Sequence, residues 1–158
     1  MMIEHAAIRL HLRSIREKNA DSIYELDDFV RNCHAKIEDE IVFPKLKQMV
    51  GMKGEELVKT LSRLEADHRM IEKIGDVIRA KTAEGDPETA HKRTMLYADV
   101  MESHNSNEEM LVFPHWLPND PKEESEIMAK ARRIIEVYGR DRYFRVTGFS
   151  EKLYSSFS

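Results

Sequence analysis

The chain has 158 residues, a length typical of one domain that buries its own hydrophobic core. Its net charge of −4 argues against a nucleic acid or an anionic membrane as a partner, because both attract basic surfaces. A single cysteine, Cys33, excludes an intramolecular disulfide, and no apolar run reaches about 18 residues, so we expect a cytoplasmic protein without a membrane segment.

Hydrophobic periodicity and turn residues predict five helices and no sheet, which makes the fold class all-α. The first four helices are expected at about residues 3–18, 22–50, 55–82 and 87–113, and a fifth C-terminal helix at about 121–139. Gly51 and Gly54 flank the second turn, and Asp86 before Pro87 is typical of an N-cap followed by proline at the first helical position.

Each of the first four helices has an apolar stripe that includes histidine or glutamate where a core would have leucine or isoleucine. The stripes are His5, Ile8, Leu12 and Ile15; Ile23, Leu26, Val30, His34, Glu38 and Ile41; Leu57, Leu61, Leu64, His68, Ile71, Gly75 and Ile78; and Thr94, Tyr97, Met101, His104, Glu108 and Leu111. A buried carboxylate is costly unless it is paired or bound to a metal. The four histidines and two glutamates therefore need a common explanation.

The pattern His-x3-Glu-x4-Phe-Pro occurs twice, at residues 34–44 and 104–114. An acidic residue followed by His-x-x-Ile precedes each copy, at residues 4–8 and 67–71. Taken alone, a histidine on an apolar face is more often a hydrogen-bonded core residue than a ligand, and a single His/Glu pair is a common surface contact. The repetition favours an internal duplication that closes around a binuclear metal site.

The residue types indicate which metal such a site prefers. Histidine and glutamate four residues apart project from the same helix face and can bind one cluster. A ligand set without sulfur suits iron or manganese, whereas structural zinc prefers Cys and His. With roughly six ligands for each metal, four histidines, two bridging glutamates and a bridging oxygen leave two positions for dioxygen, peroxide or nitric oxide.

These motifs resemble those of the hemerythrin-like family, often named for its HHE cation-binding motif, over about residues 1–117. The resemblance implies an up-down-up-down four-helix bundle that holds two iron ions in an Fe–O–Fe centre. It also implies that His5, His34, His68 and His104 are metal ligands and that Glu38 and Glu108 are bridging carboxylates. Residues 118–158 would then form a separate C-terminal helix and aromatic tail.

The chain differs from oxygen-carrying hemerythrins at two positions. The carriers have a second histidine four residues after the histidine of the third helix, where this chain has Glu72. Their last carboxylate is an aspartate five residues after its histidine, whereas Glu108 follows His104 by four. Glu72 has three interpretations, as an extra metal ligand, a proton-handling group or a surface acid.

Half of the twelve aromatic residues lie near the C-terminus, at Tyr138, Tyr143, Phe144, Phe149, Tyr154 and Phe157. Their apolar surface should be covered, either by the bundle or by a second subunit in a homodimer. The remaining histidines, His11, His91 and His115, are expected to have surface or structural roles.

The sequence predicts a di-iron protein that binds a small diatomic or peroxide ligand for sensing, storage or protection. Two alternatives are a redox enzyme that reduces peroxide or nitric oxide and a donor of iron for the repair of damaged iron centres. A purely structural bundle would not explain six polar residues on core stripes.

Overall fold

The computed structural model describes residues 1–17, 22–50, 54–116 and 121–149, and this part of the chain is almost entirely helical, without a β-strand. Its α-helices are α1 (Met2–Glu17), α2 (Ser22–Phe29), α3 (Ala35–Ile37), α4 (Phe43–Val50), α5 (Glu55–Ala83), α6 (Pro87–Leu111), α7 (Pro121–Tyr138) and α8 (Arg140–Thr147). The predicted turn at Gly51 and the last aromatic residues, Tyr154 and Phe157, lie outside the described residues.

Residues 22–50 form one composite helix with two π-helical segments, Val30–His34 between α2 and α3 and Glu38–Val42 between α3 and α4. The junction residues Phe29, His34 and Ile37 all have right-handed helical backbone angles, so the helix continues through both segments. The sequence predicted a regular α-helix here. The difference matters because π segments widen the helix at the two predicted ligands of this element.

The predicted stripes form the core. Every stripe residue of the first four helices is buried except Leu111, which is 42% exposed. The prediction for Leu111 is wrong because α6 ends there, and the following residue, Val112, turns into the core with 0% exposure. Asp86 caps α6 as predicted, since its side chain accepts a hydrogen bond from the amide of Thr89 at 3.1 Å.

The C-terminal part contains a helix that the sequence did not predict. Gly139, at φ +109°, separates α7 from α8, and α8 packs against α1 and α2. Tyr138 and Tyr143 are buried and lie 5.9 Å and 6.0 Å, ring to ring, from Phe29. His11 donates from Nε2 to the carbonyl of Val146 at 3.0 Å, which ties α1 to α8.

Gly75 allows α5 to approach the composite helix. A Cβ atom at this position would lie 2.4 Å from Oδ1 of Asp27, well inside van der Waals contact. Asp27 is 1% exposed and pairs with Arg31, Nη2 to Oδ2 at 3.3 Å, and with Arg79. A small residue at position 75 is therefore required for a buried carboxylate to remain next to its two arginines.

We expect Gly75→Ala to lower the free energy of unfolding by about 2 kcal/mol, because the added methyl group overpacks the Asp27 contact. Chemical denaturation measures this directly. Lys73→Ala on the exposed face of α5 is the control and should change it by less than about 0.5 kcal/mol. In an Asp27→Ala background the effect of Gly75→Ala should shrink, and an undiminished effect would contradict the contact.

Candidate metal centre

The six side chains predicted to hold the metals meet in the core. They come from four elements, namely His5 on α1, His34 and Glu38 on the composite helix, His68 on α5, and His104 and Glu108 on α6. His68 is 7% exposed, and each of the other five is at most 1% exposed. The site is therefore shielded from water on every side except near His68.

The carboxylate of Glu38 lies among three histidines. Its Oε1 atom is 3.5 Å from Nε2 of His34 and 3.6 Å from Nε2 of His5. Its Oε2 atom is 3.2 Å from Nε2 of His68. The two oxygens thus face histidines on different sides, which is the arrangement needed to bridge two cations.

Glu108 and the remaining histidine complete the cluster. Oε2 of Glu108 is 3.3 Å from Nε2 of His5 and 3.3 Å from Nε2 of His104. The Nε2 atoms of His68 and His104 are 2.9 Å apart. All four histidines therefore direct Nε2 towards the centre of the cluster.

Two overlapping groups of potential ligand atoms result, each with its atoms within 4.8 Å of one another. One group consists of His5, His34, Glu38 and Glu108, and the other of Glu38, His68, His104 and Glu108. Both glutamates belong to both groups. The geometry therefore offers two neighbouring cation positions that share two carboxylates.

The hydrogen-bonding state of these atoms tests whether a metal fits. Nε2 of His5, Nε2 of His34 and both oxygens of Glu38 and of Glu108 are buried without a hydrogen-bond partner in the described part of the chain. Leaving buried polar atoms unsatisfied is costly, and two carboxylates at one point repel each other. A pair of cations would satisfy all of these atoms, so the donor set fits two metal ions.

The phenylalanines of the repeated motif cover two histidines. The ring of Phe43 stacks on that of His68 at 5.8 Å and 4°, and the ring of Phe113 lies 5.1 Å from that of His5. Each Phe-Pro copy thus covers a histidine of another helix. This contact gives a physical reason for the fixed spacing between the His/Glu pair and Phe-Pro.

Four outer carboxylates face the Nδ1 atoms of the histidines; the sequence interpretation noted two of them, Glu4 and Asp67, as part of a motif but assigned no role to any of the four. The pairs are His5 with Glu109 at 2.9 Å, His34 with Glu4 at 3.1 Å, His68 with Asp39 at 2.9 Å and His104 with Asp67 at 3.8 Å. A carboxylate at Nδ1 holds the proton there and leaves the Nε2 lone pair free for a metal. The fourth pair is at ion-pair distance only.

These four pairs form a closed ring around the bundle. Each acid is the sequence neighbour of one predicted ligand and contacts the histidine of the next helix along the chain. Glu4 of α1 reaches the composite helix, Asp39 reaches α5, Asp67 reaches α6, and Glu109 of α6 returns to α1. The sequence signal was an acid directly beside a predicted ligand on every helix.

The carboxylates also determine the charge of the metal-free site. Burial by itself lowers the pKa of His5, but Glu108 and Glu38 outweigh burial and raise it to about 9. Burial likewise opposes Asp39 and Glu38 at His68, where the pKa rises to about 10. Burial raises the pKa of Glu38, yet the surrounding histidines hold it well below its usual range. Without metal, protonated His5 and His68 thus offset the charge of Glu38.

Glu72 lies outside the two groups. Its side chain is 50% exposed, and Oε1 accepts a hydrogen bond from Nη1 of Arg31 at 3.1 Å. Its role as a ligand stays a prediction. His91 and His115 are exposed, and neither belongs to either group of ligand atoms among the described residues.

Comparison with known proteins identifies the family. Residues 1–116 match the family model for the hemerythrin HHE cation-binding domain, and the chain belongs to this family. No curated protein matches the chain, and no solved structure matches it. Family membership and the His/Glu cluster together indicate a helical metal-binding protein, with iron as the typical metal. Within the described ranges no helix is long and apolar enough to cross a membrane.

Metal loading of the metal-free protein near pH 7 should release about two protons per chain, because His5 and His68 must lose their protons to bind. Adding Mn²⁺ in weak buffer with a pH indicator measures this release, and affinity should rise with pH. His91→Ala is the control and should release the same number. Loading without proton release would contradict protonated histidines in the metal-free site.

The same shifts predict the pH dependence of the metal-free protein. Both histidine pKa values are higher in the folded protein than the usual 6.5, so protonation stabilises the fold. This contribution is complete below pH 6.5 and is lost as the pH rises through about 9 to 10. Thermal melts across that range should show a falling melting temperature, and the metal-loaded protein should lack this component.

Proposed function

We propose that this protein is a non-haem di-iron protein that binds a small ligand, namely dioxygen, peroxide or nitric oxide, for sensing, storage or protection. The observation that carries the proposal is the pair of four-residue ligand groups that share Glu38 and Glu108. A sulfur-free set of histidine and carboxylate ligands supports iron, with manganese as the second metal that such a set suits.

In this proposal His5 and His34 would hold one iron, His68 and His104 would hold the other, and Glu38 and Glu108 would contribute to both. Paired irons supply redox change and coordination positions for small ligands. The protein's own residues perform three tasks. The outer acids orient the imidazoles, the glutamates fix the separation of the two positions, and the phenylalanines keep water away from the histidines.

The wider architecture belongs to the same proposal. The elements that carry ligands would run up-down-up-down as a four-helix bundle over residues 1–117. Residues 118–158 would form an addition with a C-terminal helix and an aromatic tail, which packs on the bundle or on a second copy in a homodimer. The contacts of α7 and α8 with the composite helix support packing on the bundle.

The protein reconstituted with Fe²⁺ without oxygen and then oxidised should contain about two irons per chain and absorb in the near ultraviolet. Glu38→Ala and Glu108→Ala should each lose the paired centre, because each removes a carboxylate shared by both groups. Iron analysis and the optical spectrum measure both effects. His91→Ala and His115→Ala are the controls and should keep the full iron content. Equal losses in all four variants would contradict the ligand assignment.

The reduced, iron-loaded protein should bind nitric oxide or dioxygen with a new absorption band that disappears when the ligand is removed. Stopped-flow spectroscopy with one equivalent of ligand separates this behaviour from turnover, in which the ligand is consumed at the expense of a reductant. Sustained consumption of peroxide or nitric oxide would favour the redox enzyme. Transfer of iron to a metal-free acceptor protein would favour an iron donor.

A further inference from the structure

A pocket opens between the composite helix and α5, next to the predicted metal centre. It has a volume of 220 Å³ and is lined by apolar residues, among them Val30, Ala35 and Ile71, and by polar or charged residues that include Arg31, Lys36, Asp39, Glu40, His68 and Glu72. A water molecule occupies about 30 Å³, so the pocket has room for a small ligand and its hydration. His68 is the most exposed of the six clustered residues, and the pocket is where it meets the surface.

Glu72 lines this pocket at a position from which its carboxylate could reach the metal position at His68. It follows His68 by four residues on α5, and residues at this spacing project from the same side of a helix. Its carboxylate nevertheless points away from both ligand groups and pairs with Arg31. Nη2 of Arg31 also donates to the backbone carbonyl of Glu72 at 2.9 Å.

Arg31 is itself firmly held. Nη2 lies 2.9 Å from Oδ1 of Asp76 and 3.3 Å from Oδ2 of the buried Asp27. Gly75 has no side chain, and the Asp27 carboxylate occupies the space that a Cβ atom would fill. A planar guanidinium with partners on several sides is restricted in orientation, so its contact with Glu72 is one of several joint contacts and not an isolated surface pair.

We propose that Arg31 is a positioning residue that clamps Glu72 at the rim of the pocket and thereby keeps the metal position at His68 and His104 open to a small polar ligand. This inference rests on the proposed di-iron function and specifies its access route. The ligand class is a small hydrogen-bonding molecule or anion of the size of peroxide or azide. The pocket volume of 220 Å³ admits a ligand of this size.

Azide binding to the oxidised, iron-loaded protein tests the clamp, with the dissociation constant measured by optical titration. Arg31→Met should raise the dissociation constant on the order of tenfold, because the released Glu72 can turn to the metal. Iron content should stay the same. Arg31→Met combined with Glu72→Gln should restore the parental value, since glutamine is a far weaker ligand than a carboxylate.

Lys36→Met is the matched control, because Lys36 is a second cation of the same pocket that contacts Glu40 at 3.8 Å and not Glu72. Its dissociation constant for azide should equal that of the parent. Arg31→Lys is the conservative variant. It should weaken azide binding less than Arg31→Met, because an ammonium still pairs with the Glu72 carboxylate, although it cannot also hold the carbonyl and Asp76. If Arg31→Met does not fold, Arg31→Lys still tests the proposal, because it keeps a cation beside Asp27.

Three outcomes would overturn the clamp. Unchanged azide affinity in both Arg31 variants would show that Arg31 does not control access. Equal weakening by Arg31→Met and Lys36→Met would assign the effect to pocket charge, and failure of Glu72→Gln to restore affinity would remove Glu72 from the explanation. A parental protein without two irons would instead refute the proposed function, so the two failures are distinguishable.

Discussion

The fold depends on the burial of two carboxylates, Glu38 and Glu108, whose four oxygens have no hydrogen-bond partner among the described residues. Both lie at 0% exposure, where an uncompensated charge would destabilise the protein severely. The metal-free cluster compensates with protonated histidines, and a metal pair would compensate with cations. Every other feature of the centre follows from this constraint, because the histidines must face inward, their outer nitrogens need acceptors, and water must be kept away.

Much of the centre could be predicted from the sequence, because helical periodicity determines which residues face the core. That reasoning correctly placed the six polar residues inside, and with them nearly all of the apolar stripe. It could not find the outer carboxylates, since a stripe identifies inward residues but not the lateral neighbours of adjacent helices. Asp39 and Glu109, for example, directly follow predicted ligands and occupy positions that the repeated pattern leaves unspecified. Only their contacts with His68 and His5 reveal their role.

The π segments are a second feature that the sequence interpretation did not predict, although the sequence contained a signal for them. Leu26, Val30, His34 and Glu38 follow one another in steps of four. In a regular α-helix each step of four rotates by about 40° beyond a full turn, so three such steps would carry Glu38 away from the face of Leu26. The wider turn at Val30–His34 lies within these steps and reduces this rotation, and all four residues remain buried. Three successive steps of four therefore predict π-helical widening, which is common at functional sites.

The two halves of the centre differ in their surroundings, despite the repeated motif. On one side, Tyr143 of α8 donates a hydrogen bond to Oε1 of Glu4 at 2.8 Å, while Oε2 of Glu4 lies at His34. Tyr143 lies beyond residues 1–116, so the C-terminal extension adds a contact to the outer ring and buries that acid to 3% exposure. On the other side, the corresponding acid of His68 is Asp39, whose side chain is 40% exposed in the pocket between the composite helix and α5. The two groups of potential ligand atoms are thus similar, and the extension contacts the outer acid of one of them. The difference between the two halves therefore comes from the residues around the clustered side chains and not from the repeated motif.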